Sequence, residues 1–250
     1  MQRAHAILDD VTSPSSAWPE VPPVRLPGQH ELPSEDGQPM ETDRHRAQFN
    51  HLIESLRYRE RDRDDVYVAG DMFVYFSPRQ LKNEFFRGPD VFVVLGTDKK
   101  KERLSWVLWE EMRLPDVVIE LTSPSTARED YGKKKDIYER VWKTAVYVIY
   151  DPATHALDAW TLEGGRYVPA PRNERGDVEV RILGLGIGLR DLALDSSIPA
   201  PTLRWIDAAG DALPSYDDVA THAADAETRA AAAEARAHEL AAELERLRAR

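Results

Sequence analysis

Two acidic residues stand beside apolar runs, where a carboxylate is costly unless it has a partner. Asp90 directly precedes Val91-Phe92-Val93-Val94-Leu95, and Glu120 follows Val117-Val118-Ile119 thirty positions later. The intervening chain can hold a strand, a loop, a second strand and a return, so the two runs can lie side by side. Two neighbouring carboxylates repel each other, and a divalent cation with oxygen ligands relieves that repulsion. The pattern predicts that Asp90 and Glu120 bind Mg²⁺, with Mn²⁺ as an alternative.

A lysine on the next predicted helix adds a third candidate group. At about 100° per residue, Lys134 lies at the centre of a face formed by apolar and aromatic residues, which are Tyr131, Ile137, Tyr138 and Val141. A lysine on such a face must reach solvent or find anions, and Glu120 lies just upstream. We expect Lys134 to orient or deprotonate an attacking water and to stabilise charge on a phosphate. In the alternative, Lys133, Lys134 and Lys135 form one exposed basic patch.

Apolar periodicity predicts the elements that position these groups. A helix is expected over residues 43–60, with Asp43 as its N-cap and His45 on its apolar face. His51 and Glu54 fall off that face and are expected to be solvated. Strands are predicted over 66–76, 91–95, 116–122, 145–150 and 178–183, a hairpin over 156–168, and a second helix over about 126–141.

The composition divides the chain into four segments. Residues 1–43 are rich in Pro and are predicted to form a disordered or extended arm, followed by a main domain over 44–200 and a linker over 201–215. Residues 216–250 are rich in Ala, Glu and Arg and are predicted to form one long helix. Leu240, Leu244 and Leu247 give this helix a narrow seam typical of a coiled coil. A homo-oligomer is therefore expected, with a dimer favoured, and a lone solvated helix is the alternative.

The length, amino-acid composition and net charge of the chain exclude several classes of protein. The chain has 250 residues, no Cys and a net charge of −11. Without Cys it can hold neither a disulfide framework nor a zinc ribbon. No apolar run reaches the roughly 18 residues of a membrane helix, and no signal peptide is apparent, so a cytoplasmic protein without membrane contact is expected. The negative charge argues against strong, indiscriminate binding to nucleic acid.

Four motifs in the same order resemble the Uma-two family of restriction endonucleases, a branch of the PD-(D/E)XK nuclease superfamily. They are RGPDVFVV at 87–94, LPDVVIELTSPST at 114–126, the series Asp130, Lys134 and Tyr138, and YVIYDP at 147–152. The resemblance spans roughly residues 45–195. It implies a restriction-endonuclease-like core, with a mixed β-sheet flanked by helices, and a Mg²⁺-dependent phosphodiesterase site.

The resemblance also assigns roles to individual residues. Asp90 falls at the motif aspartate and Glu120 at the second acid, and the Leu121 carbonyl is expected to add a metal ligand. Asp71 falls at a third acidic position on the preceding strand. For Asp71 a turn acid beside Gly70 is an equally good interpretation.

Two positions depart from the superfamily pattern. A lysine normally follows the second acid by two residues, and this chain has Thr122 there, so Lys134 is expected to supply the ammonium from the helix. The dipeptide Pro115-Asp116 also matches the motif aspartate. Asp116 would lie roughly 13 Å from Glu120 along one strand, which is too far to share a metal, so we interpret it as a strand-start residue.

The sequence thus predicts a metal-dependent DNA endonuclease in which Asp90 and Glu120 bind the cation and Lys134 assists the attacking water. The rival hypothesis is an inactive nuclease-like adaptor. Such an adaptor would oligomerise through its C-terminal helix and bind a protein partner, and the acidic net charge favours it.

Overall fold

The computed structural model describes residues 25–32, 42–77, 86–192, 194 and 201–249. In this part of the chain the helices are α1 (Asp43–Arg59), α2 (Leu108–Glu111), α3 (residues 127–142, with alternating α and π turns) and α4 (Tyr216–Arg248). The strands are β1 (Val66–Ala69), β2 (Val74–Tyr75), β3 (Phe86–Arg87), β4 (Val91–Leu95), β5 (Trp106–Val107), β6 (Val117–Leu121), β7 (Val146–Tyr150), β8 (Leu157–Glu163), β9 (Arg166–Pro169), β10 (Val178–Val180), β11 (Leu185–Asp191) and β12 (Pro201–Ile206).

A six-stranded mixed sheet organises the domain. Its strand order is β1-β4-β6-β7-β8-β9, with β6 and β7 parallel and the other neighbouring pairs antiparallel. The central strands β4, β6 and β7 are almost entirely buried, as expected for strands covered on both faces. The predicted mixed α/β fold is therefore confirmed, and so is the adjacency of the strands that carry Asp90 and Glu120.

Different elements cover the two faces of this sheet. One face packs against α1 and the three-stranded sheet β10-β11-β12, with Leu52 and Trp205 in the interface. The opposite face packs against α3 through Tyr138 and Trp142. Because side chains alternate along a strand, Glu120 projects to the same face as Val118, toward α3.

Helix α1 differs from its prediction at two points. Its N-cap is Thr42 and not Asp43, because the Thr42 hydroxyl accepts a hydrogen bond from the His45 N–H at 3.3 Å. His51 is buried and not solvated, since β12 covers that side of the helix and places Arg204 Nη1 2.6 Å from His51 Nε2. Burial and the neighbouring guanidinium lower the pKa of His51 to about 3. The solvated position expected for Glu54 is confirmed.

The strand predicted over 66–76 is two strands in different sheets. β1 ends at Ala69, and Asp71 adopts a left-handed conformation with φ 47° before β2 pairs with β3 and β5. Gly70 explains the break. A Cβ at this position would lie 1.9 Å from the Asp90 carbonyl oxygen, so only glycine allows the close approach of the two backbones.

The structure also bears on the predicted N-terminal arm and on the predicted linker. Residues 1–24 and 33–41 of the predicted arm lie outside the described residues, whereas Gln29 contacts the loop before β5 by accepting a hydrogen bond from the Leu104 N–H. The predicted linker contains β12, because Leu203 and Trp205 alternate into the core and pair with β11. Among the described residues, no helix is long and apolar enough to cross a bilayer.

Candidate active site

The pairing of β4 with β6 brings the two predicted acids together. Val91 pairs with Ile119 in this antiparallel ladder, so the next position places Asp90 opposite Glu120. Asp90 Oδ2 accepts a hydrogen bond from the Leu121 N–H at 2.6 Å. The Asp90 side chain keeps 26% of its surface exposed, whereas Glu120 is completely buried. One carboxylate therefore faces solvent and the other lies beneath it in the core.

Lys134 reaches this pair from helix α3. Its Nζ donates to Glu120 Oε2 at 3.0 Å and lies 2.9 Å from Asp130 Oδ1, and 16% of the side chain is exposed. The neighbouring lysines take separate positions, since Lys133 is exposed and Lys135 Nζ lies 3.7 Å from the centre of the Trp160 ring. Lys134 has thus found anions, and the three lysines do not form one exposed patch.

Asp130 also belongs to this cluster, although the sequence predicted no role for it. Its side chain is buried, and Oδ2 accepts a hydrogen bond from the Thr122 hydroxyl at 2.8 Å. Tyr147 holds the same turn of α3 by donating to the Asp130 carbonyl oxygen at 2.9 Å. The spacing of four residues between Asp130 and Lys134 is the sequence signal for this pair, because such residues are neighbours on a helix.

Tyr138 completes the surroundings of Glu120. Its hydroxyl donates to Glu120 Oε1 at 2.7 Å, and both side chains are completely buried. Lys134 satisfies the other carboxylate oxygen, so each oxygen of Glu120 has a donor. Tyr138 lies one helical turn beyond Lys134, which explains why α3 presents both groups to the same strand.

The electrostatics of the cluster follow from burial and from an excess of carboxylates. Burial, together with Asp90 and Asp130, raises the pKa of Glu120 to about 8, and Lys134 and Tyr138 only partly offset this. Burial by itself would lower the pKa of Lys134, but the three carboxylates outweigh it and raise that pKa above its usual value. Lys134 is therefore a permanent cation at neutral pH, and Glu120 is an acid that holds its proton unusually tightly.

Three other residues considered in the sequence, Thr122, Asp116 and Asp71, lie outside the group formed by Asp90, Glu120 and Lys134. Thr122, where a lysine was expected, is buried and supports Asp130. Asp116 lies directly before β6 and accepts a hydrogen bond from the Leu95 N–H at 2.7 Å, in keeping with a strand-start role. The Asp71 side chain is exposed on its turn, and within the described residues no hydrogen bond or ion pair joins it to Asp90 or Glu120. This placement favours a turn acid over a metal ligand.

The residues present fit a magnesium ion in donor chemistry and in charge. In the described part of the chain no group of three or more His, Asp or Glu side chains is arranged to hold a metal ion. Mg²⁺ does not need such a group, because it is held by one or two carboxylates together with waters and substrate phosphates. Asp90 and Glu120 supply that pair of carboxylates, and Leu121, the next residue on β6, would offer its backbone carbonyl as a further oxygen donor.

The chain is similar to a known protein family and to a solved structure. A family model named Uma2 and described as "Putative restriction endonuclease" matches residues 25–195. No curated protein sequence matches the chain. Among solved structures, "a putative nuclease belonging to DUF820 from Anabaena variabilis ATCC 29413" superposes with a TM-score of 0.44 and 14% sequence identity, over 58% of this chain and 76% of that chain.

Proposed function

This chain belongs to the Uma2 family, described as "Putative restriction endonuclease", and on that basis we propose that it is a metal-dependent endonuclease that hydrolyses DNA phosphodiester bonds. The observation that carries the proposal is the position of Lys134. Its ammonium lies between the buried carboxylates of Glu120 and Asp130, beside the partly exposed Asp90. A core-facing lysine among three acids is costly as a purely structural feature, and groups with such strongly perturbed pKa values cluster at functional sites.

The charge of the cluster supports a divalent cation. When all three carboxylates are ionised, which for Glu120 requires a pH above about 8, Asp90, Glu120 and Asp130 outnumber the ammonium of Lys134 and the cluster is negatively charged. We assign Asp90, Glu120 and the Leu121 carbonyl as the residues that would hold Mg²⁺ or Mn²⁺. The bound ion would supply Lewis-acid stabilisation of the negative charge that develops on the phosphate.

The side chains around the acids would have separate roles in the reaction. Because the carboxylates keep Lys134 protonated, it acts as a cation that orients the attacking water and stabilises phosphate charge, and it does not act as a base. The Asp130 carboxylate contacts the Lys134 ammonium, and the Thr122 hydroxyl donates a hydrogen bond to that carboxylate. The two residues therefore fix the position of the ammonium. Tyr138 holds the Glu120 carboxylate in place through its buried hydroxyl.

Cleavage assays test this assignment. The purified protein is incubated with supercoiled plasmid and with DNA and RNA oligonucleotides, in Mg²⁺, in Mn²⁺ and with a chelator. We expect metal-dependent cleavage of DNA that is lost in Asp90→Asn, Glu120→Gln and Lys134→Ala. Asp116→Asn is the matched control, since it changes a carboxylate directly before β6 and outside the cluster. Equal cleavage by the wild type and the three site variants would refute the assignment.

A second function is favoured by a specific observation. Both oxygens of Glu120 are engaged inside the protein, by Lys134 and Tyr138, and the chain carries a net charge of −11. These features suit an inactive adaptor that keeps the nuclease-like fold and binds a protein partner. Calorimetric titration with Mg²⁺ and Mn²⁺ discriminates the two functions, because an adaptor should show no metal binding that depends on Glu120.

A further inference from the structure

Helix α4 is a long element that buries almost nothing against its own chain. It runs for 33 residues, and beyond Val219 every described side chain on it is exposed. Leu240, Leu244 and Leu247 are 53%, 54% and 61% exposed. Most helices in proteins are stabilised by packing an apolar face, so a helix with three exposed leucines on one side lacks the partner that its sequence requires.

The three leucines define a heptad frame that extends along the whole helix. Their spacings of four and three residues make Leu240 and Leu247 d positions and Leu244 an a position. When the heptad frame is extended toward the N-terminus of α4, each of its ten a and d positions holds an apolar residue. These residues are Tyr216, Val219, Ala223, Ala226, Ala230, Ala233, Ala237, Leu240, Leu244 and Leu247. A continuous a and d stripe of apolar residues is the surface that a coiled coil buries.

We propose that the stripe binds a second copy of this chain, in parallel orientation and in register. The flanking charges support this occupant. In a parallel pair, each g position faces the e position five residues later on the other helix, so Arg229 of one copy faces Glu234 of the other. The contact occurs twice in the symmetric dimer, and each instance joins opposite charges.

The antiparallel alternative places like charges together. When two α4 helices overlap fully in opposite directions, g positions face g positions and e positions face e positions. Arg229 then faces Arg236 of the other copy, and Glu227 faces Glu234. Each repulsive contact also occurs twice, so the charges disfavour this arrangement and select the parallel one.

The orientation has a structural consequence for the assembly. In a parallel dimer both copies of Ser215, the N-cap of α4, lie at the same end of the coiled coil. The two main domains are then neighbours. In an antiparallel dimer they would be separated by the length of the helix, about 50 Å at a rise of 1.5 Å per residue.

Disulfide trapping in the full-length protein tests the orientation, because the native chain has no Cys to interfere. In the parallel dimer Ala223 faces its own counterpart, so Ala223→Cys is expected to give a disulfide-linked dimer as the major species under oxidation. In the antiparallel dimer the two copies of residue 223 would lie about 25 Å apart, far beyond the roughly 7 Å limit for a disulfide. Ala235→Cys is the control, since residue 235 occupies an f position, which faces away from the stripe.

Mass and charge measurements complete the test. Light scattering of the wild type is expected to give a dimer. Arg229→Glu and Glu234→Arg should each weaken the dimer, and their mixture should restore it as a heterodimer. A monomeric wild type, equal cross-linking of Ala223→Cys and Ala235→Cys, or preferential linking of Ala226→Cys to Ala237→Cys in a mixture would each overturn the proposal.

Discussion

Replacing Lys134 with methionine would test the role of its ammonium most directly. Methionine keeps an unbranched side chain of similar length, so the packing against the sheet is largely preserved. The variant leaves Glu120 and Asp130 buried, with 1% and 2% of their side chains exposed, and without the cation that lies within 3.0 Å of each. The cost of the substitution therefore reports the electrostatics of the cluster and not a cavity.

The expected magnitude follows from the burial of both acids. Removing one partner from a buried ion pair typically costs about 3 to 5 kcal/mol, because the remaining charge is uncompensated. Because Glu120 already holds its proton at neutral pH, we expect a loss at the lower end of this range, about 3 kcal/mol. Since a domain of this kind is stable by about 5 to 15 kcal/mol, the variant should fold and remain measurable.

The pH dependence of this loss has a definite sign. Lys134 lowers the pKa of Glu120, and even so that pKa is about 8 in the folded protein against an ordinary value of 4.5. Without Lys134 the pKa rises further. A group whose pKa is raised on folding favours folding below its unfolded pKa, and this contribution is lost as the pH rises toward the folded pKa. Glu120 is protonated in both folded proteins below about pH 8, and its ionisation in the unfolded state is common to both, so the destabilisation by Lys134→Met should increase as the pH rises above 8.

Urea denaturation followed by circular dichroism measures the effect. Lys133→Met is the matched control, because Lys133 is the exposed neighbour on the same helix, and its effect should stay within about 0.5 kcal/mol. If Asp90 and Glu120 hold a divalent cation, saturating Mn²⁺ should recover part of the stability lost in Lys134→Met. A loss below about 1 kcal/mol at pH 7, or one that shrinks as the pH rises, would refute the reasoning.

Two further predictions concern the surroundings of the acids. Gly70→Ala should cost about 1 to 3 kcal/mol in urea denaturation and weaken Mn²⁺ binding in calorimetry, because its Cβ would collide with the Asp90 backbone. Gly132→Ala, on the open side of α3, is the control and should stabilise by about 0.5 to 1 kcal/mol; equal effects would contradict this account. Cleavage should rise with pH as Glu120 ionises near pH 8, and Asp130→Asn should move this rise to lower pH by removing a neighbouring negative charge. A pH profile that is unchanged in Asp130→Asn would exclude the coupling.

Local patterns in the sequence were sufficient to predict the central strands and the direction of Lys134. Continuous apolar runs identified β4, β6 and β7, and the positions of Asp90 and Glu120 beside such runs indicated that the two acids meet. Helical periodicity placed Lys134 on the face that packs against the sheet, where it contacts Glu120. These features depend on short-range spacing, which a single sequence records directly.

The tertiary structure decided which other polar residues are buried. The His51 face of α1 looked solvated on the helical wheel, and only the docking of β12 places Arg204 against it. Gly70 breaks a strand that alternation alone would continue, because the Asp90 backbone passes too close for a Cβ. Asp130 stood in the motif series with Lys134 and Tyr138 but had no predicted role, and its contact with Thr122 depends on the packing of α3 against the sheet. Each of these outcomes depends on a partner distant in sequence, so local spacing could predict the acids and the lysine but not the residues that hold them in place.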